Sequence, residues 1–103
     1  MYYVYVLVEE RSGENYVGYS ANLKSRITQH QEGRGAKTTR NGTWHLVYYE
    51  AYVDKRDAVI RERRLKQNGN ARRQLLKRVE ESVGWAKSGA GEARNRSPNK
   101  RRP

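Results

Sequence analysis

The sequence contains no cysteine, no phenylalanine, one methionine and only two prolines among its 103 residues. Without cysteine the chain cannot form a disulfide, a thiolate zinc site or a thiol nucleophile, so any bound metal must be held by oxygen or imidazole ligands. The sequence also lacks an apolar run near the ~20 residues that a membrane-spanning helix requires, and it begins with a strand-like segment in place of a signal peptide. We therefore expect a cytoplasmic protein.

Acidic residues are scarce relative to basic ones. The chain has 11 Asp and Glu residues against 22 Lys and Arg residues, which gives a formal net charge of +11. Such an excess favours a polyanionic partner, because basic side chains that neutralise phosphates release the counterions around them. Nucleic acid is the first candidate, the alternative being a basic surface that serves only solubility.

The remaining pattern predicts a small α+β fold. A chain of this length has room for one modest core, so we expect a single folded domain. In chain order the predicted elements are a strand at 2–8, a strand at 15–19, a helix from about 22 to 32, a strand at 44–53, a helix from about 54 to 67 and a helix from about 71 to 83. This order indicates a small α+β layer with an antiparallel sheet.

The last 20 residues differ in composition from the rest. Residues 84–103 are rich in glycine, asparagine and serine and contain six basic residues but one acidic residue. Such a segment has little apolar surface to bury. We therefore predict a folded domain over residues 1–83 and a disordered basic tail over 84–103, which could contact phosphates or serve only as a solubilising terminus.

Two tyrosines are expected to lie close together in the predicted hairpin. Tyr5 is on the first strand and Tyr16 is on the second, so their phenols should be neighbours. Cross-strand aromatic pairs often serve only to stabilise a sheet, and that interpretation stays open for this pair. Gly18 lies within the second strand, where a glycine often marks the close approach of a backbone or a ligand.

The predicted helices carry three further candidates. Arg26 and His30 are four residues apart and project from one helix face, where arginine suits a phosphate contact and histidine suits proton transfer. Glu62 falls at helical spacing with Ala58 and Leu65, on the least polar face of an arginine-rich helix. Each of the three could instead be a surface residue, and Glu62 could simply pair with its basic neighbours.

Together these segments resemble the GIY-YIG nucleases, in particular their small stand-alone members, over about residues 2–80. The matching segments are Tyr3-Val4-Tyr5, Tyr16-Val17-Gly18, the helix from Arg26 to His30, the loop at 35–40, the strand segment 46–50 and the helix segment 58–66. Tyr3, Val4 and Val17 depart from the residues that name the family, but these changes keep the strand character and both phenols.

The resemblance implies a three-stranded antiparallel sheet flanked by helices and a metal-dependent endonuclease that cuts phosphodiester bonds in DNA, in repair, recombination or processing. It implies that Glu62 holds one Mg²⁺ or Mn²⁺ ion and that Arg26 holds the scissile phosphate. Tyr5 or Tyr16 would accept a proton from the attacking water, and His30 could relay it. Because an unperturbed phenol has a pKa near ~10, nearby positive charge would have to lower that pKa.

The substrate contacts are expected on the loop and around the catalytic residues. We expect them at Gly18, Lys37, Thr39, Arg40 and Lys66. Two alternatives remain open, a noncatalytic nucleic-acid-binding module and a nuclease subunit that depends on a protein partner. The sequence leaves undecided the oligomeric state and whether the substrate is single-stranded, duplex or branched DNA, or RNA.

Overall fold

Three antiparallel strands form a sheet with the order β2-β1-β3 in the computed structural model, which describes residues 1–89. The elements are β1 (Tyr2–Glu9), β2 (Asn15–Ser20), α1 (Leu23–Gln31), a 3₁₀ turn (Lys37–Thr39), β3 (Trp44–Tyr52), α2 (Lys55–Gln67), α3 (Gly69–Arg78) and α4 (Glu80–Ser88). The predicted α+β class, with an antiparallel sheet flanked by helices, is confirmed. No helix within residues 1–89 is long and apolar enough to cross a membrane.

The central strand β1 is buried on both faces because helices cover each side of the sheet. Successive side chains of a strand point to opposite faces, so β1 contributes to two apolar clusters. The cluster under α2 and α3 contains Val4, Val6, Val17, Ala58, Leu65 and Leu75. The cluster under α1 contains Tyr5, Leu7 and Trp44, with Leu23 and Ile27 packed against them. This double coverage explains why β1 consists of aromatic and apolar residues without a polar alternation.

Side-chain caps set the starts of three helices. Asn22, Asp54 and Asn68 each accept a hydrogen bond from a backbone N–H in the first turn of α1, α2 and α3, respectively. Such caps satisfy N–H groups that have no partner within the helix. The sequence predicts Asp54 as the cap of α2, which is confirmed, and it allows Ser20 or Asn22 as the cap of α1, of which the structure selects Asn22.

The prediction of one helix over 71–83 is wrong, because two helices occupy this segment. The first helix, α3, begins at Gly69 and ends at Arg78, and Val79 leaves helical geometry with φ −117° and ψ 34°. Its N–H still bonds to the carbonyls of Leu76 and Lys77. The change of direction lets α4 pack against β1 and β3. The helical spacing of apolar residues continues from α3 into α4, so the sequence pattern does not predict the turn at Val79.

Helix α4 overlaps the first residues of the predicted tail. The disorder predicted from Gly84 onward is wrong for residues 84–88, which form the second half of α4 and bury Ala86. A short alanine-containing turn can be ordered by packing even when its composition is polar. The rest of the predicted tail, residues 90–103, lies outside the described residues.

One carboxylate ties the β1–β2 turn to the start of β3. Oε1 of Glu9 accepts the backbone N–H groups of Arg11 and Ser12 at 3.0 and 2.8 Å, and Oε2 accepts the N–H of Thr43 at 3.0 Å. These bonds, that of Ser12 first, lower the pKa of Glu9 from 4.5 to about 2. The charged form is therefore the one that holds the two segments together.

This network predicts a pH-dependent contribution to stability. Because the folded-state pKa is below the unfolded value, the contribution is complete above about 4.5 and is lost as the pH falls toward about 2. Glu9→Gln should lower the thermal midpoint at pH 7, and the difference from the wild type should shrink between pH 5 and pH 2. Thermal unfolding of both proteins across this range measures it. A difference that stays constant with pH would contradict the assignment.

Candidate active site

The hairpin register places the two candidate phenols on one face of the sheet. Tyr5 pairs with Gly18 and Leu7 pairs with Tyr16, so Tyr5 and Tyr16 are diagonal neighbours with ring centroids 6.4 Å apart. The predicted proximity of the two phenols is confirmed. Gly18 leaves the space that the Tyr5 ring fills, since a Cβ atom at Gly18 would lie 2.3 Å from the Cζ and the phenol oxygen of Tyr5.

His30 lies in the last turn of α1, beneath the surface and between the phenols and the following loop. It is 3% exposed. Its Nε2 atom lies 2.9 Å from the Tyr5 phenol oxygen, and its Nδ1 atom lies 2.6 Å from Oγ1 of Thr39. The ring centroid is 5.4 Å from that of Tyr16. Burial, together with the charge of Arg26, lowers the pKa of His30, so the ring is neutral at pH 7.

Arg26, one turn earlier on α1, contacts both phenols. The nearby phenol of Tyr5, and more weakly that of Tyr16, raises the pKa of the guanidinium. Nη1 of Arg26 also donates to Oε1 of Gln29 at 2.7 Å, which restrains the fork of the side chain. Because Arg26 is half-buried, it remains accessible to a bound anion.

Burial separates the two phenols chemically. Tyr5 is 0% exposed, and burial raises its pKa to about 12 although the hydrogen bond from Arg26 acts in the opposite direction. The expectation that positive charge lowers the phenol pKa is therefore wrong for Tyr5, because desolvation of the phenolate outweighs the nearby cation. Tyr16 is half-buried, so a water molecule can reach it without rearrangement of the core.

Glu62 and Lys66, one turn apart on α2, border the same cluster. Nζ of Lys66 lies 3.1 Å from Oε2 of Glu62 and 5.9 Å from the ring centroid of Tyr16. The charge of Glu62 acts on Tyr5. The Glu62 side chain is 22% exposed, so its carboxylate is open to a ligand from solution.

Glu62 fits a divalent cation as a single protein ligand. Within residues 1–89 no group of three or more His, Asp or Glu side chains could enclose a metal ion. Mg²⁺ does not need such an enclosure, because it keeps several waters and binds through one or two carboxylates together with phosphate oxygens. A carboxylate that is partly exposed and paired with one lysine meets this requirement.

A partly buried carboxylate on β3 already has several hydrogen-bond partners. Glu50 accepts hydrogen bonds from the phenols of Tyr48 and Tyr52 and from Arg61, whose Nη2 donates at 2.9 Å. Sequence analysis missed this network, although the two-residue spacing of Tyr48, Glu50 and Tyr52 on β3 places them on one face. Its hydrogen bonds leave Glu50 little capacity for a metal, in contrast to Glu62.

The loop between α1 and β3 divides into exposed cations and a buried hydroxyl. Lys37 and Arg40 are exposed, as their expected role in substrate contact requires. Thr39 is 1% exposed, and the Tyr5 ring covers Gly18, so burial argues against a direct substrate contact for these two residues. All five expected substrate contacts stay predictions.

Gly35 is a residue whose importance sequence analysis missed. In the sequence it appears only as the first residue of the loop at 35–40. A Cβ atom at this position would lie 2.3 Å from Nδ1 of His30, so only glycine lets the loop cross the imidazole. Gly35 lies five residues after His30, a candidate catalytic residue, and in the same loop as Thr39. This proximity in the sequence could have indicated that Gly35 contacts the site.

Comparisons with known proteins identify a family. The model of the GIY-YIG catalytic domain matches residues 1–75. A UPF0213 protein of Halobacterium salinarum is 38% identical over 77 residues, covering 74% of this chain and 99% of that protein. A UPF0213 protein of Clostridium perfringens is 41% identical over 78 residues, covering 74% and 83%. The solution NMR structure of a UPF0213 protein from Bacillus halodurans is 36% identical, covers 75% of this chain and 84% of that one, and has a TM-score of 0.47.

The packing of Tyr5 over Gly18 predicts a large effect of one methyl group. Gly18→Ala should destabilise the protein by ~1–3 kcal/mol, because the new Cβ must displace the Tyr5 ring. Gly84→Ala is the matched control, since a Cβ atom there meets nothing within 4 Å and the helix α4 gains up to ~1 kcal/mol from alanine. Chemical unfolding of both variants measures the contrast. Equal stability of Gly18→Ala and the wild type would show that the ring does not occupy this space.

Proposed function

Because the chain belongs to the GIY-YIG family, we propose that it is a divalent-metal-dependent endonuclease that hydrolyses phosphodiester bonds in DNA. One observation carries the proposal. Side chains from β1, β2, α1 and α2 converge on one cluster, and each matches a task that the hydrolysis requires. The cluster contains Tyr5, Tyr16, Arg26, His30 and Glu62.

Arg26 is proposed to hold the scissile phosphate. Its guanidinium is restrained by Gln29 and by the two phenols, so it presents a preorganised donor to the charge that develops on the phosphoryl oxygens. Arginine suits this position because its planar fork contacts two oxygens at once.

Tyr16 is proposed to accept the proton of the attacking water. It is the more accessible of the two phenols, it contacts Arg26, and the ammonium of Lys66 lies above its ring. Tyr5 is buried and bonded to His30, so its role is to hold Arg26 and His30 in place. In the displacement, the water oxygen bonds to phosphorus, the bond to the 3′ oxygen breaks, and the leaving 3′ oxygen takes up a proton.

Glu62 is proposed to hold one Mg²⁺ or Mn²⁺ ion. When bound, such an ion neutralises charge on the phosphate and helps to orient it. Lys66 forms an ion pair with the Glu62 carboxylate in the free protein, and it would become available for a DNA phosphate if a cation took its place. The exposed cations Lys37 and Arg40 extend the basic surface for the DNA backbone.

The Glu62–Lys66 ion pair also favours a second candidate function. A noncatalytic DNA-binding module would use the same basic surface and would keep Glu62 as a structural partner of Lys66. The two proposals differ in whether removal of the carboxylate changes cleavage or only local charge. A partner-dependent nuclease would cleave only after its partner is added.

Removal of the Glu62 carboxylate should separate these functions. We expect Glu62→Gln to lower Mg²⁺-dependent cleavage by on the order of 10²-fold or more while DNA affinity stays within a few-fold, because the basic side chains hold the backbone. Glu81→Gln, an exposed acid in the first turn of α4, is the matched control and should cleave normally. The measurement uses labelled single-stranded, duplex and branched DNA with and without Mg²⁺ or Mn²⁺. Cleavage by Glu62→Gln at the wild-type rate would contradict the metal role.

The pH dependence should distinguish the two phenols. Burial raises the pKa of Tyr5 to about 12, so its ionised fraction near neutral pH is about a hundredfold smaller than that of an ordinary phenol with a pKa near ~10, which makes Tyr5 the poorer candidate for the base. We expect the wild-type rate to rise in this range, Tyr16→Phe to lose both the rise and most of the activity, and Tyr5→Phe to keep the rise at a reduced rate. Single-turnover cleavage across the range measures this. A retained rise in Tyr16→Phe would assign the proton transfer elsewhere.

A further inference from the structure

A chain of hydrogen bonds runs from Tyr5 through the buried part of the candidate site to the loop after α1. The phenol oxygen of Tyr5 lies 2.9 Å from Nε2 of His30, and its environment includes the charge of Arg26. Nδ1 of His30 lies 2.6 Å from Oγ1 of Thr39, which donates to the carbonyl of Ala36 at 3.1 Å. Tyr5, His30 and Thr39 are each at most 3% exposed, so protein groups alone must satisfy them.

The Tyr5 end is compatible with one direction of the chain. A phenol can donate or accept, but the buried proton of Tyr5 needs an acceptor, and Nε2 of His30 is the one within hydrogen-bond distance. Nε2 can accept only when it carries no proton. In the neutral ring the proton therefore belongs on Nδ1.

The Ala36 end requires the same direction. A carbonyl oxygen only accepts, so the single hydroxyl proton of Thr39 points to Ala36. The Thr39 oxygen then has lone pairs to accept the proton on Nδ1 of His30. The Ala36 end thus fixes the tautomer through Thr39, the Tyr5 end is compatible with it, and neither argument refers to the chemistry of cleavage.

From this geometry we infer that Thr39 is a positioning residue that holds His30 in the Nδ1–H tautomer and so leaves Nε2 to accept the phenol proton of Tyr5. If the proton moved to Nε2, His30 would donate to the Tyr5 oxygen, and the buried phenol proton would lose this acceptor. The consequence for cleavage rests on the proposed function, whereas the tautomer does not. The role differs from the direct substrate contact expected of Thr39 from the sequence.

Gly35 completes the arrangement by keeping the loop against the imidazole. Its Cα lies over the ring so closely that any side chain would contact Nδ1, Cε1 and Cγ of His30 within 2.8 Å. The loop that carries the exposed cations Lys37 and Arg40 is therefore attached to the site through His30 and Thr39. Through its hydroxyl, Thr39 thereby positions the basic loop relative to the catalytic cluster.

The tautomer can be measured directly by ¹⁵N NMR of the full chain with ¹⁵N-labelled histidine rings at pH 8. The chain has two histidines, so a His45→Gln variant assigns the remaining signals to His30. We expect the wild type to show the correlation pattern of the Nδ1–H form. Thr39→Ser should keep this pattern because it retains the hydroxyl. Thr39→Val, which preserves shape but cannot accept a proton, should lose it in favour of the Nε2–H form.

Tyr5→Phe is the control that separates the two neighbours of His30. If Thr39 sets the tautomer, Tyr5→Phe keeps the Nδ1–H pattern. An Nε2–H pattern in the wild type, an unchanged pattern in Thr39→Val, or a lost pattern in Tyr5→Phe would each overturn the inference. The wild-type spectrum tests it even if a variant fails to fold, and a backbone ¹H–¹⁵N spectrum of each variant reports folding.

Cleavage assays connect the tautomer to the proposed function. At saturating DNA, Thr39→Val should cleave on the order of 10-fold or more slowly with nearly unchanged DNA affinity, and Thr39→Ser should recover most of the rate. If the wild type shows the Nδ1–H form but cleaves no DNA, the proposed function fails and the tautomer assignment stands. If Thr39→Val changes the tautomer but cleaves at the wild-type rate, the positioning role in cleavage fails.

Discussion

The burial of Tyr5 is the constraint on which the candidate site depends. Its ring lies on the α1-facing side of the central strand, in space that Gly18 leaves open on the neighbouring strand. This position places the phenol against His30 and Arg26 on α1. A tyrosine is suited to it, because the ring contributes to the apolar cluster while the hydroxyl needs a partner inside the protein. A phenylalanine would fill the same space but would leave the buried side of His30 without that bond.

Electrostatics then assigns different tasks to residues of the same type. Desolvation raises the pKa of Tyr5, whereas Tyr16 stands closer to solvent with cations around it. Among the carboxylates, Glu50 is held by two phenols and an arginine, and Glu9 by three backbone N–H groups. Glu62 pairs with Lys66, whose side chain is half exposed. Of these three carboxylates, the one held by a single exposed lysine can most readily exchange its partner for a cation.

The departures from the motif that names the family have physical explanations here. Val4 and Val17 lie in the core under α2 and α3, where a β-branched apolar residue is what the position requires. Tyr3 points to the other face, and its ring packs edge-on against Tyr49 with centroids 6.0 Å apart. The added aromatic pair lies on β1 and β3, away from the β2 side where Tyr16 stands. These substitutions therefore leave the candidate site intact.

The sequence by itself determined the fold class, the order of strands and helices as far as α2, the cap at Asp54, and the proximity of Tyr5 and Tyr16. These features follow from local periodicity, capping chemistry and the register of one hairpin, all of which neighbouring residues specify. Only the tertiary structure decided that α3 and α4 are separate, that Tyr5 is buried while Tyr16 is accessible, and that Thr39 and Gly35 face His30. Each of these depends on contacts between residues that are distant in the sequence. Desolvation of a side chain and the direction of its hydrogen bonds follow from those contacts, so the spacing of residues along the chain does not predict them.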